Sequence, residues 1–100
     1  MDYFELECAI QDWAEEKGIF DTGTPIKQAL KTLEEVNELC SAIIDNNKEE
    51  IKDALGDIMV TILIQASMQD LELEDCLESA YNIIKQRTGK MVNGQFVKAV

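Results

Sequence analysis

The residues in this chain best suited to chemistry are carboxylates. Glu34, Glu35 and Glu38 fall in one stretch of helical character. Residues three apart share a helix face, so Glu35 and Glu38 point the same way. Glu50, Asp53 and Asp57 follow at spacings of three and four and form a second stripe, which runs on into Val60, Thr61 and Ile64. Asp57 therefore stands at the edge of apolar surroundings, where an unpaired charge is costly. Two helices joined by a short loop lie antiparallel, which sets Glu35 and Glu38 opposite Asp53 and Asp57. So many like charges share a site only around cations. The chain has no histidine, and hard oxygen ligands alone select magnesium, or manganese, over zinc. Magnesium retains much of its water and is usually completed by phosphate oxygens, so a polyphosphate is the natural substrate. Acidic residues at these spacings are commonly no more than a solvated helix face. What argues for a site is the matching stripe on the next helix and the apolar setting of Asp57.

A polyphosphate also needs cations from the protein. Lys31 lies one turn before Glu35, while Lys85, Arg87 and Lys90 gather where the last helix should end. Lys85 and Arg87 suit phosphate contacts, Arg87 by a bidentate grip. Stabilisation of a helix C-terminus explains the same cluster equally well. Gln28 and Asn82 are amides able to reach sugar or phosphate, or simply to sit on the surface. Trp13, Phe4, Phe20 and Tyr81 are the aromatic candidates for stacking on a base. Trp13 and Tyr81 both fall on apolar stripes and are better explained as core, whereas Phe20 sits in a loop.

The elements that must position these groups are helices. Apolar residues make up 46% of the chain but aromatics only 6%, so the core is aliphatic, as in packed helices. One hundred residues form a single domain, here taken as residues 1–100. A first helix spans 3–17 and stops at Gly18, and residues 19–23 read as a turn. Thr24-Pro25 opens a second helix with a cap and a proline at its first position. Its apolar stripe runs from Ile26 through Leu30, Leu33, Val36 and Cys40 to Ile44, ending near Asp45. A third helix covers about 48–69, and a fourth follows the acidic piece 70–75 and runs to Gly89. Asn93-Gly94 between Met91-Val92 and Phe96-Val97 signals a hairpin. The expected fold is all-α, a four-helix bundle with a short hairpin-like tail.

With 20 acidic residues against 9 basic ones, nucleic-acid binding is not expected, because a phosphate backbone requires a Lys/Arg surface. No apolar run is long enough to span a membrane. Cys8, Cys40 and Cys76 are unpaired by spacing and read as reduced thiols, Cys40 and Cys76 on apolar stripes; with an N-terminus that is acidic rather than basic, the expected location is the cytoplasm.

The run from Lys31 to Leu39, containing Glu34-Glu35-Val36-Asn37-Glu38, resembles the EExxE motif of the MazG and all-helical dUTPase superfamily. Ala54-Leu55-Gly56-Asp57 before an apolar helix resembles its second motif, and the segment from Ala80 to Lys98 is similar to the end of short MazG-like proteins often carried by bacteriophages. The likeness covers nearly the whole chain. It implies Mg²⁺-dependent hydrolysis of a nucleoside triphosphate to monophosphate and pyrophosphate, with Glu35, Glu38 and Asp57 as metal ligands and Glu38 or Glu34 accepting the proton of a metal-activated water. By analogy with phage relatives the substrate is a purine deoxynucleotide such as dGTP. The family's glutamate three residues before the aspartate is here Ala54, so that ligand does not carry over; Asp53, one turn before Asp57, or Glu50 could supply the oxygen. The rival reading is a non-enzymatic helical oligomerisation or phage accessory module.

The third helix is apolar nearly all round. Ile51, Leu55, Ile58 and Ile62 suffice for the core of one bundle, which leaves Val60 and Ile64 as a second face and predicts a homodimer or homotetramer.

Overall fold

The computed structural model describes residues 1–100. Helix α1 (Tyr3–Glu16) opens on a capping box. The Asp2 carboxylate accepts the Glu5 N–H at 2.8 Å, and the Glu5 side chain accepts the Asp2 N–H in return. Gly18, at a left-handed φ of 76°, ends this run. The next residues are not a simple turn as expected, but a one-turn helix, α2 (Ile19–Thr22). Thr24 accepts the Lys27 N–H at 3.3 Å, and Pro25 begins α3 (Pro25–Ile44). Asn47 caps α4 (Lys48–Met68) by accepting the Glu50 N–H. Helix α5 (Leu73–Ile84) is shorter than the sequence suggests. The hairpin takes over before Gly89, since the Ala99 N–H donates to Thr88 O at 2.8 Å. Strands β1 (Gly89–Val92) and β2 (Gln95–Lys98) pair antiparallel with Met91 opposite Phe96. The turn between them needs two left-handed residues, supplied by Asn93 at φ 50° and Gly94 at φ 83°.

Helices α3 and α4 form the centre, an antiparallel pair each about 30 Å long. Polar bonds fix their register. Gln65 Nε2 donates to Pro25 O at 2.8 Å, Gln28 Nε2 to Thr61 O at 3.2 Å, and Thr32 Oγ1 to Thr61 Oγ1 at 2.9 Å. The Thr61 hydroxyl in turn donates a hydrogen bond to Ile58 O at 2.7 Å. One turn further along each helix, Glu35 comes opposite Asp57. Alanines at 42 and 54 are buried, as close helix approach requires. Helix α1 lies against α4, and α5 touches only part of it.

The faces of α3 and α4 differ from the sequence expectation. Helix α3 turns Gln28, Thr32, Glu35 and Ala42 inward and leaves Ile26, Leu30, Leu33, Val36, Ile43 and Ile44 exposed. On α4, Ile64 is 2% exposed and Leu63 is buried beside it, whereas Leu55 is 52% exposed. Ile64 is thus core and not a second face, because α1 and α3 cover α4 on the side that carries Asp57 and Thr61. Trp13 and Tyr81, expected in the core, are 47% and 58% exposed, and Cys40 and Cys76 are exposed as well.

Only seven residues are buried and the accessible surface is 7972 Å². A compact monomer of this mass exposes about 5,700 Å², so the chain carries an excess of about 2,200 Å², much of it aliphatic. The radius of gyration, 15.9 Å, likewise exceeds the roughly 13 Å of a compact chain of this length. No helix is long and apolar enough to cross a membrane.

Since Ile64 packs against its own chain, Ile64→Ala should cost about 2–5 kcal/mol in urea unfolding. A loss below about 1 kcal/mol would remove Ile64 from the core.

Candidate metal and nucleotide site

The register of α3 against α4 gathers three carboxylates. Ligand oxygens of Glu35, Glu38 and Asp57 lie within 4.8 Å of one another. Glu38 and Asp57 are exposed, but Glu35 is only 9% exposed. Its Oε2 is buried and has no hydrogen-bond partner. Burial raises the Glu35 carboxyl above its ordinary pKa. The Glu38 carboxyl, close enough to share a proton, and the charge of Asp57 push it the same way, while Lys31 opposes them.

An orphaned buried oxygen beside two further carboxylates calls for a proton or a cation. Oxygens coordinating one magnesium are at most about 4.2 Å apart, so the spread of this cluster closes onto an ion with small side-chain adjustment. The donor set, all carboxylate, suits magnesium or manganese.

Two cavities flank the cluster. One, of about 460 Å³, has Glu35 and Asp57 on its floor and Trp13, Thr24, Lys27, Gln28 and Lys31 around it. The other, of about 420 Å³, is lined by Glu38, Glu50, Asp53, Ala54 and Asp57 together with Asn37 and Ser41. Glu50 and Asp53 therefore sit beside the three-carboxylate group without joining it. Ala54 faces this same acidic cavity, so the position where the family has a glutamate does point into the site.

Other residues singled out in the sequence fall elsewhere. Glu34 is exposed and paired with Lys31, Nζ to Oε2 at 3.3 Å, and is not one of the three clustered carboxylates. Gln28 lines the first cavity, but its amide nitrogen is engaged by Thr61 O. Asn82, Lys85, Arg87 and Lys90 are exposed on α5 and the tail and line neither cavity. Lys85 Nζ rests 5.8 Å from the Tyr81 ring centroid. Lys27 and Thr24 join the site without having been expected there. Lys27 precedes Lys31 by one turn and so continues the face that carries Glu35 and Glu38, a spacing that points to it. Trp13 borders the cavity, placing it where a stacking residue would stand.

The MazG nucleotide pyrophosphohydrolase domain model matches residues 23–92, and the chain belongs to that family. It is also 38% identical over 71 residues to an uncharacterized 18.2 kDa protein in the rep-hol intergenic region of Haemophilus phage HP1 (strain HP1c1). That match covers 71% of this chain and 44% of the phage protein, so the chain spans less than half of its relative. No solved structure matches it.

The raised pKa of Glu35 gives a pH dependence with a definite sign. From its ordinary value of 4.5 upward, the folded state holds a proton that the unfolded state has released, so stability falls as pH rises through that window. With a chelator present, the melting temperature of Glu35→Gln relative to the native chain should climb as pH rises from about 4.5 to 7. Magnesium should shrink or reverse the difference. A difference that stayed constant with pH would contradict this placement of Glu35.

Proposed function

We propose that the chain hydrolyses a nucleoside triphosphate to the monophosphate and pyrophosphate, with Mg²⁺ held by Glu35, Glu38 and Asp57. The observation that carries this reading is the buried, unpartnered Glu35 oxygen within a three-carboxylate cluster, next to a cavity that brings lysines and a tryptophan together. A cavity of about 460 Å³ is within the range of small-ligand sites. When bound, magnesium would neutralise the polyphosphate and lower the pKa of a nearby water. Glu38, exposed and unpaired by any lysine, accepts the proton of the attacking water. Glu34 is the weaker candidate because Lys31 holds it. Lys27 and Lys31 neutralise phosphate oxygens, Trp13 stacks on the base, and Asp53 or Glu50 supplies the oxygen that Ala54 lacks. A purine deoxynucleotide such as dGTP is the first substrate to try. The exposed aliphatic surface supports assembly as a homodimer or homotetramer.

Glu38→Gln and Asp57→Asn should each lower turnover at least ~100-fold with the helical circular dichroism unchanged. Lys27→Gln should instead raise KM about 10-fold, the loss of one charge-assisted contact. A triphosphate panel with magnesium, read as monophosphate and pyrophosphate, measures all three. Near-normal rates in both carboxylate variants would dismiss the site. No hydrolysis anywhere in the panel, with thermal stability indifferent to magnesium, would favour an oligomerisation module without catalysis.

A further inference from the structure

The charges of this chain are segregated. Residues 85–100 hold four of the nine basic residues, Lys85, Arg87, Lys90 and Lys98, and none of the 20 acidic ones. This basic arm is also apolar. Met91, Val92, Phe96 and Val97 are all exposed, and a two-stranded hairpin on its own is marginal in water. Strand register puts Met91 and Phe96 side by side on one face of the hairpin, with Lys98 next to them. Every residue of the arm is exposed in its own chain.

The body has a surface of opposite character. Between α1, α4 and the start of α5 lies an apolar groove of about 750 Å³, lined by Tyr3, Phe4, Met59, Ile62 and Leu77, with Asp2 and Glu74 also on its walls. The arm of the same chain leaves from the far end of α5, whose twelve residues carry it about 18 Å away from Leu73. Tyr3 and Met59 also line an adjoining cavity of about 420 Å³ that opens onto Asp53 and Asp57. A segment seated in the groove is therefore next door to the carboxylate cluster.

We propose that the C-terminal hairpin of a second copy of this chain docks in that groove, Met91 and Phe96 inward, and brings Arg87 and Lys98, which shares the inward face, to the polyphosphate bound at its partner's carboxylates. Charge complementarity selects the occupant, because the only stretch of this chain that is both basic and apolar meets a groove with acidic walls. The exposed area is sufficient, since an excess of about 2,200 Å² per chain is what an obligate dimer covers. The delivery of cations rests on the triphosphate reading above. The docking does not.

Two experiments separate these. A benzophenone-bearing phenylalanine at position 96, introduced into the full chain and irradiated in a mixture of isotopically light and heavy protein, should give light–heavy crosslinks to residues 2–4 or 73–77. Crosslinks within one chain only, or between chains but away from the groove, would overturn the docking, and this readout needs no hydrolysis. For the cations, Arg87→Gln/Lys98→Gln and Glu38→Gln chains carrying different tags are co-expressed and the mixed species isolated through both tags. Each variant alone should lose at least ~10-fold in rate. The mixed species should recover about half the native rate, one competent site of two in a symmetric dimer. A mixed species as inactive as its parents, or full activity in Arg87→Gln/Lys98→Gln alone, would overturn delivery in trans. If native protein hydrolyses no triphosphate while the light–heavy crosslinks form, the catalytic reading fails and the docking stands.

Discussion

Like charges 4 Å apart near a protein surface repel by roughly 4 kcal/mol, and the central feature of this fold is a helix register that forces such charges together. That repulsion exceeds what any single hydrogen bond of about 1 kcal/mol returns. The bonds from Gln28, Thr32 and Gln65 must act jointly with the close contact allowed by Ala42 and Ala54. Every residue in this set lies on the interface between α3 and α4, and a one-turn slip would separate Glu35 from Asp57. Relief comes from a proton on Glu35 or from a cation, and at neutral pH only the cation leaves all three carboxylates charged.

The proximity of Glu35, Glu38 and Asp57 is legible in the sequence because helix spacing and a short connection determine it. Turn chemistry at the end of α3 helps in the same way: Asp45, Asn46 and Asn47 are poor helix continuers, and Asn46 indeed adopts a left-handed φ of 52°. Thr24-Pro25 and Asn93-Gly94 are equally local signals, each read from the backbone geometry those residues favour. Lys27 is as visible as Lys31, being one turn away, but a stripe of acids draws the eye to the cation nearest to it.

What the sequence does not disclose is direction. The pattern on α3 tells that Ile26, Leu30, Leu33 and Ile44 avoid water, but it does not tell whether their cover comes from the same chain. Here α3 presents its polar side to α4, and Glu35 occupies a position that hydropathy would assign to the surface. The same ambiguity exchanged Ile64 and Leu55 on α4. Both are aliphatic, both fit a helical stripe, and only the packing of α1 and α3 decides which of them lies inside.

A helix that buries its carboxylate and exposes its leucines inverts the usual preference of folding, since apolar burial is the main favourable term and buried charge is among the most unfavourable. Such an inversion persists where each face is completed by something outside the single chain. On the reading proposed above, a cation and its polyphosphate complete the inner face, and further copies of the chain complete the outer one. The two needs are connected, because an acidic chain holding an anionic substrate is short of positive charge, and the basic residues concentrated in its C-terminal arm lie away from its own cluster. The proposed assembly would then serve the site as well as the core: it would cover aliphatic surface that one copy leaves exposed, and it would set the positive end of one chain against the negative body of the next.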